Sequence, residues 1–499
     1  MIHILRGRNP GTVGAALTIA IGAIVIRLWA FGGVTFGIGY DDGRYVQVAR
    51  NLANGFLPTG PGEWFGTRIV LLWPVATLFR LLGASDYTAV AWPFVGSLVG
   101  VLAAYLVGRE LAGPRVGLVA SALMAAAPLE VEFATRLRPD SWMPALIGLS
   151  VWAALRARRG DHAIRWALAA GMLLGCAWSV RESAPVMFPV LAVVLWPIRW
   201  RALVAAAAGA IAVPLLSAAA FAAIGGPFKQ PLTSSAGSAV WRNPITAWDL
   251  NPSYIWRISR DAFDPGSLFF LLLPLVVACA GLLAWKRPAA SIVPTVWLAW
   301  TALYLEVGTL VNVAKPTRYL TLAAIPVAVL IAIAIDHRAA FLAPLGLGVI
   351  AVAALHGLPD REHRPSDVLL ANRVADRLRE LPPGPVLTTN YTWWAKFRGY
   401  LATSRLPVPR VPEPTYLTAD ERRRAASLRP LPQVADYRGG YVVEGPSVRR
   451  TSWPRNWGIV QRNIRQQVPM ARLIEIARID NAVIYRWPAD IPLTPAPVR

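Results

Sequence analysis

The sequence predicts a polytopic α-helical membrane protein that ends in a small mixed α/β domain. Three observations predict it. Hydrophobic residues make up 55% of the 499 and charged residues only 16%, against about 25% charge in an ordinary soluble domain, and the mean hydropathy is +0.44. Apolar runs long enough for a bilayer, which takes roughly 20 residues, recur from Val13 to His356. Beyond His356 the chain turns rich in Arg and Pro, with no further run of that kind.

The first run spans 13–36 and follows a basic start, Met1 to Pro10. It is too long for a signal-peptide core and lacks a small-residue cleavage site, so it reads as an uncleaved first span that begins in the cytoplasm. Further runs fall at 88–108, 115–133, 141–157, 165–181, 184–198, 202–224, 267–285, 289–311, 319–335 and 339–356, giving about eleven spans by the length criterion. The segment Ile69–Leu82 is shorter and is interrupted by Pro74 and Arg80, which suits an interfacial helix better than a span.

The positive-inside rule supports that choice. With 69–82 on the outer surface, the loops Arg109–Arg115, Arg156–Arg165, Arg199–Arg201, Lys286-Arg287 and Arg338 all share the side of Arg6 and Arg8. The opposite face then receives Asp41-Asp42, Arg136-Leu-Arg138-Pro-Asp140, Arg181-Glu182, the long loop 225–266 and Lys315-Pro-Thr-Arg318-Tyr319, where arginines stand beside acids. The expected organisation is a transmembrane catalytic domain, 1–356, with a first outer loop at 37–87, followed by an extracytoplasmic domain, 357–499. In the latter a helix is expected around Pro365–Leu381, where Val368, Leu369, Val374 and Leu378 stand near helical spacing. Strands are expected at Val386–Thr389, Gly440–Val443, Ala471–Ile476 and Ala482–Trp487, the last two joined at Arg478–Asn481.

Composition excludes several classes. The net charge of +22 sits in short loops between apolar runs, which fits topology and anionic lipid better than nucleic acid. Cys176 and Cys279 both lie in apolar runs and define no disulfide framework or metal knuckle. The five histidines are scattered, and neither a Gly-x-Ser-x-Gly elbow nor a Walker loop is present. Trp393-Trp394 suits either a sugar platform or the membrane interface.

Charge near a membrane boundary marks the candidate site, since a charged residue at a helix centre costs about 2.5–3.5 kcal/mol on insertion scales. Asp41 and Asp42 precede Arg44 and Tyr45 in a short helix-like stretch. Asp41 and Arg44 share a face at i, i+3, while Asp42 points elsewhere. One acid suits a helix cap and the other a general base. Asp140 follows Pro139 where a span begins, so it reads either as a cap or as a second acid facing the first pair. Arg181-Glu182 reads as a self-neutralised pair or as site support. Arg318, with Tyr319, suits bidentate phosphate recognition. Arg27, in the outer half of the first span, reads as a snorkelling side chain.

With these residues in view, the chain resembles the GT-C glycosyltransferases, above all the branch that holds protein O-mannosyltransferases and the lipid A aminoarabinose transferase. The resemblance rests on Gly39-Tyr-Asp-Asp-Gly-Arg-Tyr45, Phe79-Arg-Leu-Leu-Gly83, Arg138-Pro-Asp140, Arg181-Glu182 and Arg318-Tyr-Leu320. It covers 13–200 and 289–335; loop 225–266 and the C-terminal domain match only in kind. Relatives carry His or Lys before Pro-Pro-Leu at the start of the surface helix, where this chain has Gly66-Thr-Arg-Ile-Val70, putting Arg68 in the basic position.

The resemblance implies a transferase that takes a sugar from a polyprenyl-phosphate carrier and delivers it to a hydroxyl at the outer face of a bacterial-type inner membrane. Asp41 or Asp42 acts at the catalytic centre with Asp140 in support, and Arg44, Arg68, Arg318 and Tyr319 hold the carrier phosphate. Arg138, Arg181, Glu182 and Tyr45 support them. The carboxylates serve a base mechanism and a divalent-metal mechanism equally well, with Asp42 and Asp140 as the metal ligands in the second. The expected partners are the carrier-linked sugar, membrane lipid and an acceptor glycan, lipid or protein. The rival readings are a flippase for lipid-linked saccharides and a polymerase or ligase that shares the carrier chemistry.

Overall fold

The computed structural model describes residues 10–31, 40–55, 67–160, 162–181, 183–196, 200–226, 288–310, 321–337, 366–382, 384–388, 437–445 and 467–493. The expected spans at 267–285 and 339–356, the loop 227–266, Trp393-Trp394, Glu182, Arg318 and Tyr319 lie outside these residues.

The chain is mostly helical, with a small sheet near its C-terminus. The helices are α1 Pro10–Phe31, α2 Tyr40–Ala53, α3 Ile69–Leu82, α4 Asp86–Ala112, α5 Pro114–Ala126, α6 Pro128–Ala134, α7 Trp142–Arg158, α8 Ala163–Val180, α9 Phe188–Leu195, α10 Trp200–Ala223, α11 Pro288–Leu310, α12 Thr321–His337 and α13 Ser366–Glu380. Among the described residues four helices are long and apolar enough to cross a membrane: Gly11–Phe31, Asp86–Ala112, Ala163–Val180 and Trp200–Ala223. This is a multi-pass membrane protein.

Contacts divide the chain into two units. The first comprises Met1–Val34, Thr67–Val75 and Val90–Arg361, and the second Thr35–Gly66, Ala76–Ala89 and Glu362–Arg499.

In the first unit, α8 packs closely against α10 through small residues. A Cβ placed on Gly171 would stand 1.9 Å from the Ala206 carbonyl oxygen, and one on Gly209 would stand 2.5 Å from that of Leu168. Close backbone approach of this kind is the usual means by which membrane helices gain van der Waals contact, since lipid offers no hydrophobic drive between them.

The apolar run at 115–133 is not one helix. α5 ends at Ala126, Ala127 is extended at φ −61°, ψ 119°, and Pro128 opens α6. A residue before proline is pushed out of the helical region, and proline suits the first helical position, where its missing N–H costs nothing. The break frees the carbonyls at the end of α5 and brings Glu130 onto a short separate helix.

Two tryptophans join α4 to its neighbours. The Trp92 indole N–H donates to the Val70 carbonyl at 2.9 Å, and that of Trp142 donates to the Trp92 carbonyl at 2.8 Å. Their rings stack with centroids 4.3 Å apart.

In the second unit the strands are β1 Val386–Thr388, β2 Tyr441–Glu444, β3 Ile474–Ile479 and β4 Ala482–Arg486, in the order β1-β2-β4-β3. β1 and β2 run parallel, and the other pairings are antiparallel. Side chains alternate between faces as strand geometry requires. Val386, Tyr441, Val443, Ala482 and Ile484 pack with Leu370, Val374, Ala375 and Leu378 of α13 on one face. Leu387, Tyr437, Val442, Val468 and Trp487 fill the other. β3 begins three residues later than expected, because 470–472 forms a 3₁₀ turn.

Candidate active site

The described part of the site centres on Asp140 and Arg181, in the first unit. α6 ends at Ala134, and a series of tight turns carries the chain through Arg138 and Pro139 to α7. Ser141 is the N-cap residue of α7 and makes no side-chain cap bond. Asp140 therefore stands just outside the helix, and the cap role weighed for it is not the one it takes. Arg181 leaves the end of α8 in an extended conformation. Its Nη1 donates to Asp140 Oδ1 at 2.7 Å, with both side chains buried. A buried carboxylate and guanidinium make a short charge-assisted bond, and their attraction offsets part of the cost of taking both charges out of water. Asp140 Oδ2, Ser141 Oγ and Ser183 Oγ are buried with no hydrogen-bond partner among the described residues. Asp140 Oδ2 thus keeps acceptor capacity in reserve.

A second polar group, around Arg27, lies in the same unit. Arg27 does not snorkel. It is fully buried: Nε donates to Ser97 Oγ at 2.9 Å, and Nη1 donates to the carbonyls of Ala23 at 3.1 Å and Ala125 at 3.0 Å. Ala125 is one of the carbonyls freed by the break before α6, where the negative end of a helix dipole attracts a cation. Ser97 Oγ in turn donates to the Glu130 carbonyl at 3.1 Å. The Glu130 side chain, which was not anticipated, is also fully buried. Neither carboxyl oxygen makes a hydrogen bond of good geometry among the described residues. Arg27, Asp140 and Ser97 all lie near enough to act on it. The available signal was an acid inside an apolar run, which deserves a functional reading by default.

Arg68 is buried just before α3, with its side chain engaged, and its carbonyl accepts the N–H groups of Leu71 and Leu72 that open the helix. Arg136 pairs with Glu132 at 2.8 Å, and Arg138 is half-buried and also engaged.

In the second unit, Asp41, Asp42 and Arg44 fall in the first turns of α2, though their side chains lie outside the described residues. Tyr45 is buried, as is Arg50 one turn further on, and burial lowers the Arg50 guanidinium to about 10. Arg50 was not singled out from sequence. Among the described residues no three His, Cys, Asp or Glu side chains gather as a metal set.

In fold, the chain matches ArnT from Cupriavidus metallidurans bound to undecaprenyl phosphate with a TM-score of 0.65. The match covers 95% of this chain and 98% of that one at 14% identity. The chain has the GT-C fold. The apo form of ArnT gives a TM-score of 0.64 over the same shares, also at 14% identity. The oligosaccharyltransferase AglB from Archaeoglobus fulgidus, in complex with an inhibitory peptide and a dolichol-phosphate, gives a TM-score of 0.48 at 12% identity, covering 86% of this chain and 69% of that one. Residues 67–224 match the family model of dolichyl-phosphate-mannose-protein mannosyltransferases. That segment of the GT-C chain contains Arg68, Glu130, Asp140 and Arg181. No curated protein matches by sequence.

Proposed function

We propose that this protein is a glycosyltransferase that moves a sugar from a polyprenyl-phosphate carrier to a hydroxyl acceptor at the outer face of a bacterial inner membrane. The observation that carries the reading is a fold shared over 95% of the chain with a protein bound to undecaprenyl phosphate. The buried Asp140–Arg181 pair supports it, because paired acids and guanidiniums in a membrane domain are costly unless used.

In this reading the acceptor oxygen attacks the anomeric carbon as the bond from that carbon to the phosphate oxygen breaks. The electron pair leaves with the polyprenyl phosphate, and attack from the opposite side inverts the centre. Asp41 takes the acceptor proton as general base. Asp42 and Asp140 support it or hold a divalent metal. Arg44, Arg68, Arg318 and Tyr319 hold the charge that grows on the leaving phosphate, in a water-poor site where fixed cations act strongly.

The test presents purified protein in nanodiscs with a panel of labelled polyprenyl-phosphate sugars and hydroxyl acceptors. Transfer of label with inverted anomeric configuration is expected. Label that stays on every carrier would overturn the reading, and label that crosses the bilayer without leaving its carrier would point to a flippase.

A further inference from the structure

The end of the α7–α8 hairpin opposite the Asp140–Arg181 pair carries cations that the proposed chemistry does not use. Arg109 lies in the last turn of α4 and Arg115 in the first turn of α5. Arg156, Arg158 and Arg159 close α7, and Arg165 lies in the first turn of α8. Across 109–115 and 156–165 these six arginines stand against two acids, Glu110 and Asp161.

Retention of loops on one side of a membrane requires each loop to be basic, but not that the loops meet. Here they meet. Arg159 Nη2 donates to the Glu110 carbonyl at 3.0 Å, and its Nε stands 2.6 Å from Glu110 Oε1. The contact ties the α7–α8 turn to the end of α4. Arg156 stands 3.9 Å from the same carboxyl oxygen, so Glu110 is already engaged. Arg158 and Arg165 stay exposed, and no acid pairs with either among the described residues.

Aromatic rings place these cations at the depth of a membrane interface. The Arg156 guanidinium lies over the Trp166 ring at 5.5 Å, and Trp166 meets Trp152 edge-on with centroids 5.3 Å apart. The close approach of Gly171 to Ala206 and of Gly175 to Ala210 sets residue 165 level with residue 200. Trp200 is exposed there, and tryptophan collects where hydrocarbon gives way to headgroups. From that level an apolar stripe runs along α8 into the span. Ile164, Leu168 and Met172 are exposed and recur every four residues, so they share one face. Arg165, three residues before Leu168, stands on the same side. His162 makes no side-chain cap bond, so the first N–H groups of α8 add positive potential beside it. Exposed guanidiniums above a lipid-facing stripe match the two parts of a phospholipid.

We propose that the α7–α8 turn binds an anionic glycerophospholipid, with its phosphate held by Arg158 and Arg165 and an acyl chain along Ile164, Leu168 and Met172. Guanidinium takes phosphate oxygens bidentately and stays ionised. With Asp140 at the outer face, this lipid belongs to the inner leaflet. The site is independent of what the enzyme transfers.

The experiment titrates the full-length protein in detergent micelles with phosphatidylglycerol or phosphatidylcholine and reads the first bound lipid by native mass spectrometry. Wild type is expected to bind phosphatidylglycerol about ten-fold or more tightly than phosphatidylcholine. A basic residue near an anionic headgroup is worth about five-fold in affinity. Arg158→Gln with Arg165→Gln is therefore expected to weaken phosphatidylglycerol binding by about ten-fold or more. Arg377→Gln with Arg379→Gln removes the same charge from exposed positions on α13 and is expected to bind within about two-fold of wild type. Equal loss in the two double variants would overturn the proposal, as would equal binding of the two lipids by wild type. A second measurement needs no variant. Wild-type protein in nanodiscs is irradiated with a photoreactive acyl chain on either lipid, then digested. Cross-links to 163–173 are expected to be at least about three-fold enriched with phosphatidylglycerol, and the same labelling pattern with both lipids would overturn the proposal.

Discussion

Asp140 and Arg181 stand 41 residues apart in the chain and meet at 2.7 Å, one just before α7 and the other just after α8. The bond closes the α7–α8 hairpin at the end opposite its connecting turn. Removing one partner strands the other as a buried charge. Asp140→Asn and Arg181→Met are therefore each expected to lower stability by about 3–5 kcal/mol, read as a loss of Tm in nanodiscs. Arg181→Lys keeps the charge but loses the planar fork and is expected to fall between them and wild type. Unchanged Tm in both Asp140→Asn and Arg181→Met would show that the pair is not load-sharing.

The α8–α10 contact makes a prediction that does not depend on function. A methyl group on Gly171 would sit within 1.9 Å of a backbone oxygen that cannot rotate away. Gly171→Ala is expected to force the helices apart and cost about 1–3 kcal/mol or more. Gly22, in α1, has open space at the same position. Gly22→Ala is expected to be neutral or to stabilise by up to about 1 kcal/mol through helix propensity. Equal losses for the two in a thermal assay would contradict the packing described.

The stacked tryptophans offer a graded test. Trp142→Phe keeps a ring over Trp92 but loses the N–H bond to its carbonyl, so a cost of about 1 kcal/mol is expected. Gly96→Ala would place a Cβ 2.7 Å from the Trp142 ring. Since that ring is hemmed in, a larger loss is expected, about 1–3 kcal/mol. Tm values for the two variants check the order.

In the second unit, Trp487 is fully buried, and its indole N–H donates to the Ile491 carbonyl at 3.1 Å. Trp487→Ala is expected to cost about 3–5 kcal/mol. Proteolysis read by mass spectrometry should show new cuts between 437 and 493. An unchanged digestion pattern would contradict the role given to this core.

Hydropathy made α4, α7, α8 and α10 legible because length and composition alone decide such helices. The short runs of strand-forming apolar residues at Val386-Leu387 and Tyr441-Val442-Val443 likewise revealed strands of the small sheet, both of whose faces are buried. What stayed hidden depended on partners distant in sequence. Arg27 looked like a snorkelling side chain because its partners, Ser97 and Ala125, lie 70 and 98 residues away. The break at Ala127 was signalled by Pro128, yet the apolar run on either side masked it. Asp140 and Arg181 were both singled out, but local reasoning left Asp140 between a cap and a second acid, and Arg181 between a pair with its neighbour Glu182 and a part in the site. Only tertiary structure pairs them. β3 was placed too early because Ala471-Arg472-Leu473 alternates apolar and polar residues as a strand does, although 470–472 forms a 3₁₀ turn.

In the proposed reaction Asp41 is the general base, and its amide variant separates catalysis from carrier binding. Wild-type and Asp41→Asn proteins are compared for transfer from a labelled polyprenyl-phosphate sugar and, in the same nanodiscs, for binding of undecaprenyl phosphate. Transfer is expected to fall by at least about a hundred-fold, in keeping with loss of a general base, while carrier affinity stays within about two-fold. Transfer by Asp41→Asn at the wild-type rate would contradict the account.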